Sequence, residues 1–109
     1  MSVPSEHLFI LAVVLFAIGA AGFFLRRNVI VVLMCVELML NAANLSFLAA
    51  SRMHSLAAGA TKPSLEGPTF AIFVIVVAAI EAAVGLALVI ALYRTRQTVS
   101  LDAVTDLKD

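Results

Sequence analysis

Two carboxylates lie inside stretches otherwise apolar enough to live in lipid. Glu37 stands in Val36-Glu37-Leu38-Met39-Leu40-Asn41-Ala42-Ala43-Asn44-Leu45, and Glu81 in Val77-Ala78-Ala79-Ile80-Glu81-Ala82-Ala83-Val84-Gly85-Leu86. A charged side chain at mid-membrane costs roughly 2.5–3.5 kcal/mol on insertion scales. A chain that keeps one needs something to offset that cost. Desolvation and a like-charged neighbour both disfavour the ionised form of a carboxyl group, and acids in such settings can load and release protons. No Lys, Arg or His falls within the spans to neutralise the pair, so proton exchange is the chemistry expected, unless a partner supplies a lysine.

Asn41 and Asn44 follow Glu37 at i+4 and i+7, on one stripe of a helix, with Cys35 and Ser46 on the opposite side. A Glu-Asn-Asn stripe can hold water or hand on a proton; the amides alone serve equally well as hydrogen-bonding glue between helices. Around Glu81, Ala78 with Ala82 and Ala79 with Ala83 let helices approach closely, and Gly85 removes bulk one turn further on.

These groups need a membrane scaffold, and the composition provides one. Of 109 residues, 63% are hydrophobic and 13% charged, with a mean hydropathy of +1.12. A soluble domain carries about 45–50% apolar and about 25% charged residues, so the chain reads as an integral membrane protein. Seven basic and seven acidic residues balance, which gives no sign of a nucleic-acid partner or of an anionic surface. The single cysteine, Cys35, excludes an intramolecular disulfide. His7 and His54 sit in separate polar segments, and no dinucleotide fingerprint, P-loop or nucleophile elbow is present.

The expected architecture is all-α, a single membrane domain over residues 1–109 with three transmembrane helices at about 8–25, 29–50 and 70–93. Each run is long enough for an apolar layer about 30 Å thick, and only helices and closed barrels satisfy their own backbone there. A signal peptide is set aside for the first run, because Met1 to His7 has no Lys or Arg. Arg26-Arg27-Asn28 makes a short turn. A polar loop is expected over 51–69, with Arg52, His54, Lys62 and Glu66 and the breakers Gly59, Pro63, Gly67 and Pro68. A polar tail is expected over 94–109, disordered or a surface helix from Gln97 to Asp109.

Arg26, Arg27, Arg94, Arg96 and Lys108 gather on one side, against Arg52 and Lys62 on the other. The positive-inside rule then predicts an outside N-terminus and a cytoplasmic C-terminus. Counted from the cytoplasmic ends, Glu37 lies about 12 Å deep and Glu81 about 18 Å, at 1.5 Å per residue. The second span is only marginally comfortable by itself. Its eleven Leu, Ile, Val and Phe residues contribute roughly −5 kcal/mol, and Glu37 removes roughly 3 of that. Its polar stripe must therefore face protein or water. The first span has no ionisable group, and Gly19 and Gly22 mark a close approach to a neighbour. Three helices cannot shield two acids from lipid, so partner subunits are expected.

The two glutamate motifs together closely resemble the K-type (mitochondrial 4L-type) membrane subunit of respiratory complex I, NADH:quinone oxidoreductase. The likeness runs over residues 8–93, and Arg26-Arg27-Asn28 is similar to the family's basic turn. The resemblance implies a non-redox subunit of a proton-translocating enzyme in the bacterial inner membrane, with no catalytic centre of its own. It also implies that NADH, FMN, iron–sulfur clusters and quinone are handled elsewhere in the complex, and that the partners include antiporter-like subunits. On this likeness Glu37 and Glu81 are the proton-relay acids, while Arg26 and Arg27 support coupling at the cytoplasmic face. Glu66-Gly67-Pro68-Thr69 and the loop with Lys62-Pro63 depart from the family pattern on the outer side, which bears on local subunit contacts. The alternative is the related small subunit of multi-subunit cation/proton antiporters.

Overall fold

Short breaks at Arg26–Asn28 and around Gly59 cut the chain into three long helices in the computed structural model, which describes residues 3–59, 61–62, 64–97 and 99–104. They are α1 (Ser5–Leu25), α2 (Val29–Ala57) and α3 (Glu66–Arg96), followed by a short α4 (Leu101–Val104). All three long helices have the length and hydropathy to cross a membrane. No strand occurs among the described residues; only an isolated bridge pairs Asn28 with Ser100.

The helices outrun the apolar runs that announced them. α2 continues through Ser51–Ala57, expected as loop, because Arg52, Met53, Leu56 and Ala57 are ordinary helix formers. It stops before Gly59, which takes φ +66°, a conformation that favours glycine. α3 begins at Glu66, so Gly67 and Pro68 lie inside its first turn and break nothing. The N–H that Pro68 lacks is one of the donors left unbonded at any helix start. The Ser64 hydroxyl accepts from Glu66 N–H at 3.3 Å, which helps fix that start. α1 likewise begins at Ser5, one turn before the apolar run. Pro63, Lys108 and the rest of the tail from residue 105 lie outside the described residues.

α2 is the central helix, packed against α1 on one side and α3 on the other. The α1 contact is built on glycine. A Cβ added to Gly19 would stand 2.9 Å from the Cys35 carbonyl oxygen, and one added to Gly22 would stand 2.5 Å from Cys35 Sγ. The neighbour that these glycines approach is therefore α2, and Cys35 serves in that packing. Against α3, Leu33 fills the space left by Gly85, Ser51 meets Gly67, and Phe47 packs edge-on against Phe70 with ring centroids 4.9 Å apart. The bundle has little interior: among the described hydrophobic residues only Ala12, Ala42, Ala49, Ala71 and Val89 are buried. A surface so apolar belongs against lipid and other subunits.

The two glycines of α1 make distinct predictions. Gly22→Ala should destabilise the α1–α2 hairpin by about 1–3 kcal/mol through overpacking, and Cys35→Ala should restore most of that, since only the sulfur is in the way. Gly19→Ala should resist the same rescue, because it meets a backbone oxygen. Thermal unfolding of the four variants in detergent checks both statements.

Candidate functional site

The α2–α3 register decides how the two carboxylates relate. One turn further from the basic turn than Leu33 along α2 stands Glu37, and one turn further from it than Gly85 along antiparallel α3 stands Glu81. Since Leu33 packs on Gly85, the two glutamates share one level of the bundle. Counting from the span ends had placed Glu81 deeper; the contact between the helices removes that difference.

Equal depth does not mean contact. Glu37 is half-buried and lines an open groove of about 340 Å³ between α2 and α3. Asn41 lines it too, one turn further on, and the remaining walls are apolar: Ile30, Leu33, Met34 and Leu38 from α2, Ala82 and Leu86 from α3. Glu81 is exposed on α3 and takes no part in this groove. The structure thus brings Glu37 and Asn41 together and leaves Glu81 at the same level on a separate patch of surface. Ala79 and Ala83 beside it are exposed as well, whereas Ala78 and Ala82 are half-buried.

The polar stripe of α2 divides in a way that helical spacing alone does not reveal. Asn41 is exposed to the groove, but Asn44 is only 7% accessible, and its side-chain oxygen is buried without a hydrogen-bond partner among the described residues. An unsatisfied buried acceptor costs about 1–3 kcal/mol, so Asn44 is a poor choice if packing were its only task. Groups of this kind are ordinarily satisfied by a bound water or by a donor from another chain. Cys35 and Ser46, placed by the spacing opposite the stripe, face α1: Cys35 meets Gly22, and Ser46 lines a cleft with Val13, Phe16 and Ala17.

The basic turn is more tightly held than its three residues suggest. Asn28 caps α2, its side-chain oxygen accepting from Ile30 N–H at 2.9 Å. The C-terminal segment folds back over the turn. Val29 N–H donates to the Val99 carbonyl at 2.9 Å, and Leu101 N–H to the Arg27 carbonyl at 2.8 Å. Two of the donors left open at the start of α2 are thereby satisfied, one by a side chain and one by residues seventy positions away. Arg27 also pairs with Asp102 at 3.7 Å; both are exposed, so that pair adds little. Arg26 and Arg27 both remain exposed. The tail, expected to be disordered or a surface helix, forms the short helix α4, and its contacts with the turn come from Val99, Leu101 and Asp102. The asparagine before an apolar run was a legible cap signal; a single backbone bridge carries no periodic signal.

Replacing Asn28 by Ala should cost about 1 kcal/mol and speed hydrogen exchange at the Ile30 amide, while Asp or Ser at that position should preserve both. The Val29 amide, held by the Val99 carbonyl, should stay protected in all three variants. Residue-resolved exchange on the full chain in micelles reads the contrast.

Comparisons with known proteins agree in direction. The family model for NADH-ubiquinone/plastoquinone oxidoreductase chain 4L matches residues 7–109, a range that contains every candidate site residue above. The NADH-quinone oxidoreductase subunit K of Bacillus anthracis is 50% identical over 107 residues, covering 98% of this chain and 97% of the relative. Proteins of the same name from Bacillus cereus strain B4264 and from Bacillus thuringiensis subsp. konkukian strain 97-27 are each 49% identical, with the same shares covered.

Proposed function

The chain belongs to the NADH-ubiquinone/plastoquinone oxidoreductase chain 4L family, and we propose that it serves the complex as a proton relay built on Glu37 and Glu81. It is an integral bacterial membrane subunit of NADH-quinone oxidoreductase. That assignment separates it from the small antiporter subunits, which its glutamates alone left open.

The observation that carries the relay reading is the α2–α3 register. The Leu33–Gly85 contact sets both acids on one level, Glu37 at a groove and Glu81 on an outer face. A carboxylate facing lipid at mid-depth is too costly to keep, so another subunit or a water-filled cavity covers Glu81. Glu37 takes up a proton in the groove, where the Asn41 amide holds water beside it. The buried Asn44 oxygen accepts a hydrogen bond from a further water or from a partner's donor. The proton passes across the seam to Glu81 and on to an acceptor in the neighbouring subunit, leaving each carboxylate as it began. Hydride removal from NADH, electron transfer through flavin and iron–sulfur clusters, and quinone reduction take place in other subunits, including none of this chain's side chains. The antiporter-like membrane subunits are the neighbours on this reading.

The orientation belongs to the same proposal. The basic turn and the α3 end with Arg94 and Arg96 lie at one end of the antiparallel bundle, which the positive-inside rule assigns to the cytoplasm, with the N-terminus outside. Redox events on that side act on Arg26 and Arg27, and the rigid start of α2 carries the change toward Glu37, two turns away.

Glu37→Gln in the assembled complex should abolish or cripple proton-coupled NADH oxidation while assembly persists. Normal proton translocation per NADH in that variant would overturn the relay role. Asn44→Leu separates function from packing: thermal stability should be unchanged or higher, since an unpaired acceptor is lost, while proton translocation falls. If stability drops and coupled activity holds, Asn44 is only a structural hydrogen-bonding group.

A further inference from the structure

The end of the bundle away from the basic turn carries a pocket that the relay does not use. It occupies about 410 Å³ where the last turns of α2 meet the segment leading into α3. Its polar lining combines Arg52 and Lys62 with the hydroxyls of Ser51, Ser55, Thr61 and Ser64, and among the described residues no carboxylate contributes to it. Among the described residues neither cation has an ion-pair partner, although Arg52 is half-buried. Glu66, the acid nearest in sequence, is exposed, does not line the pocket, and has its N–H tied to the Ser64 oxygen. We infer that this pocket binds the phosphodiester headgroup of an anionic phospholipid.

Depth is the first argument for a lipid. α2 has 29 residues and is therefore about 43 Å long at 1.5 Å per residue, against an apolar layer of about 30 Å. The turns beyond the apolar run, Ser51–Ala57, accordingly stand among the headgroups, and Arg52 with them. Leu48 lies one turn deeper on the same face as Arg52 and also lines the pocket, which gives the acyl chain its first contact below the phosphate.

Chemistry is the second. Two cations and hydroxyl donors match one phosphate with its negative oxygens. The Ser64 oxygen accepts from Glu66 N–H and so keeps its own proton to donate, while Ser55 is committed, donating to the Ser51 carbonyl at 2.9 Å. With no carboxylate present, nothing compensates the cation of a zwitterionic headgroup, which Arg52 and Lys62 repel. The preference is for a lipid with net negative charge, such as phosphatidylglycerol. In the orientation proposed above, that lipid is in the outer leaflet.

Native mass spectrometry of the full chain, released from micelles after titration with phosphatidylglycerol or phosphatidylcholine, tests the inference. One phosphatidylglycerol should bind per chain at least about tenfold more tightly than phosphatidylcholine. The Arg52→Gln/Lys62→Gln variant should lose that preference, while Arg94→Gln/Arg96→Gln, at the opposite end, should keep it. Equal binding of the two lipids, or an unchanged preference in the first variant, would overturn the assignment. So would displacement of phosphatidylglycerol by inorganic phosphate, which marks a small-anion site, or loss of the preference in both variants, which marks a general charge effect. In the assembled complex Lys62 should escape zero-length carbodiimide cross-linking to a neighbouring subunit; a cross-link there assigns the pocket to a partner's carboxylate instead.

Discussion

The close approach of α2 and α3 is the contact on which the site depends. Gly85 has no side chain to hold Leu33 off, and Gly67 does the same for Ser51 some five turns away along α2. Two small-residue contacts at opposite ends of an antiparallel pair leave one register. A one-residue slip would drive a side chain into a neighbouring helix at both ends. Lipid supplies no hydrophobic drive for such an association, so fit of this kind and polar contacts must do it. The level shared by Glu37 and Glu81 follows from these glycines, not from either glutamate.

Much of this was legible before the fold was known, for one physical reason. In lipid the backbone must bond to itself, so long apolar runs become helices, and an acid inside one stands out. Glu37 and Glu81 were visible on that ground, and Gly19 and Gly22 marked the packed side of a helix that is apolar all round. Helix ends were harder, because hydropathy records where lipid touches the chain and not where backbone hydrogen bonds stop. Ser51–Ala57 leaves the apolar layer without leaving the helix, and Pro68 sits where a helix start tolerates it. The partition of the asparagine stripe, Asn41 open and Asn44 enclosed, depends on where α3 lands, which no count along α2 could supply.

The scarcity of interior is itself informative about how such a chain holds polar groups. Few residues are sealed within the bundle, and α2 shares two narrow seams with its neighbours. Stability of the isolated chain rests on those seams and on the surrounding lipid. Polar side chains at the seam edges, Glu37 above all, are left for surfaces contributed from outside. On the proposed relay, a three-helix unit of this shape completes its polar route only when its flanks are covered.

The fold-back of residues 99–101 onto the turn at 27–29 bears on how the chain is made. The α1–α2 hairpin is local in sequence and can form as soon as both spans have been synthesised, whereas the bridge over the turn joins segments on either side of α2 and α3. Long-range closure of that kind comes late. During biogenesis the start of α2 therefore has only Asn28 to cap it, and the arginine turn stays uncovered until the third span has crossed the membrane and the chain has returned to the same face. Completion of the turn thereby reports that all three spans are in place.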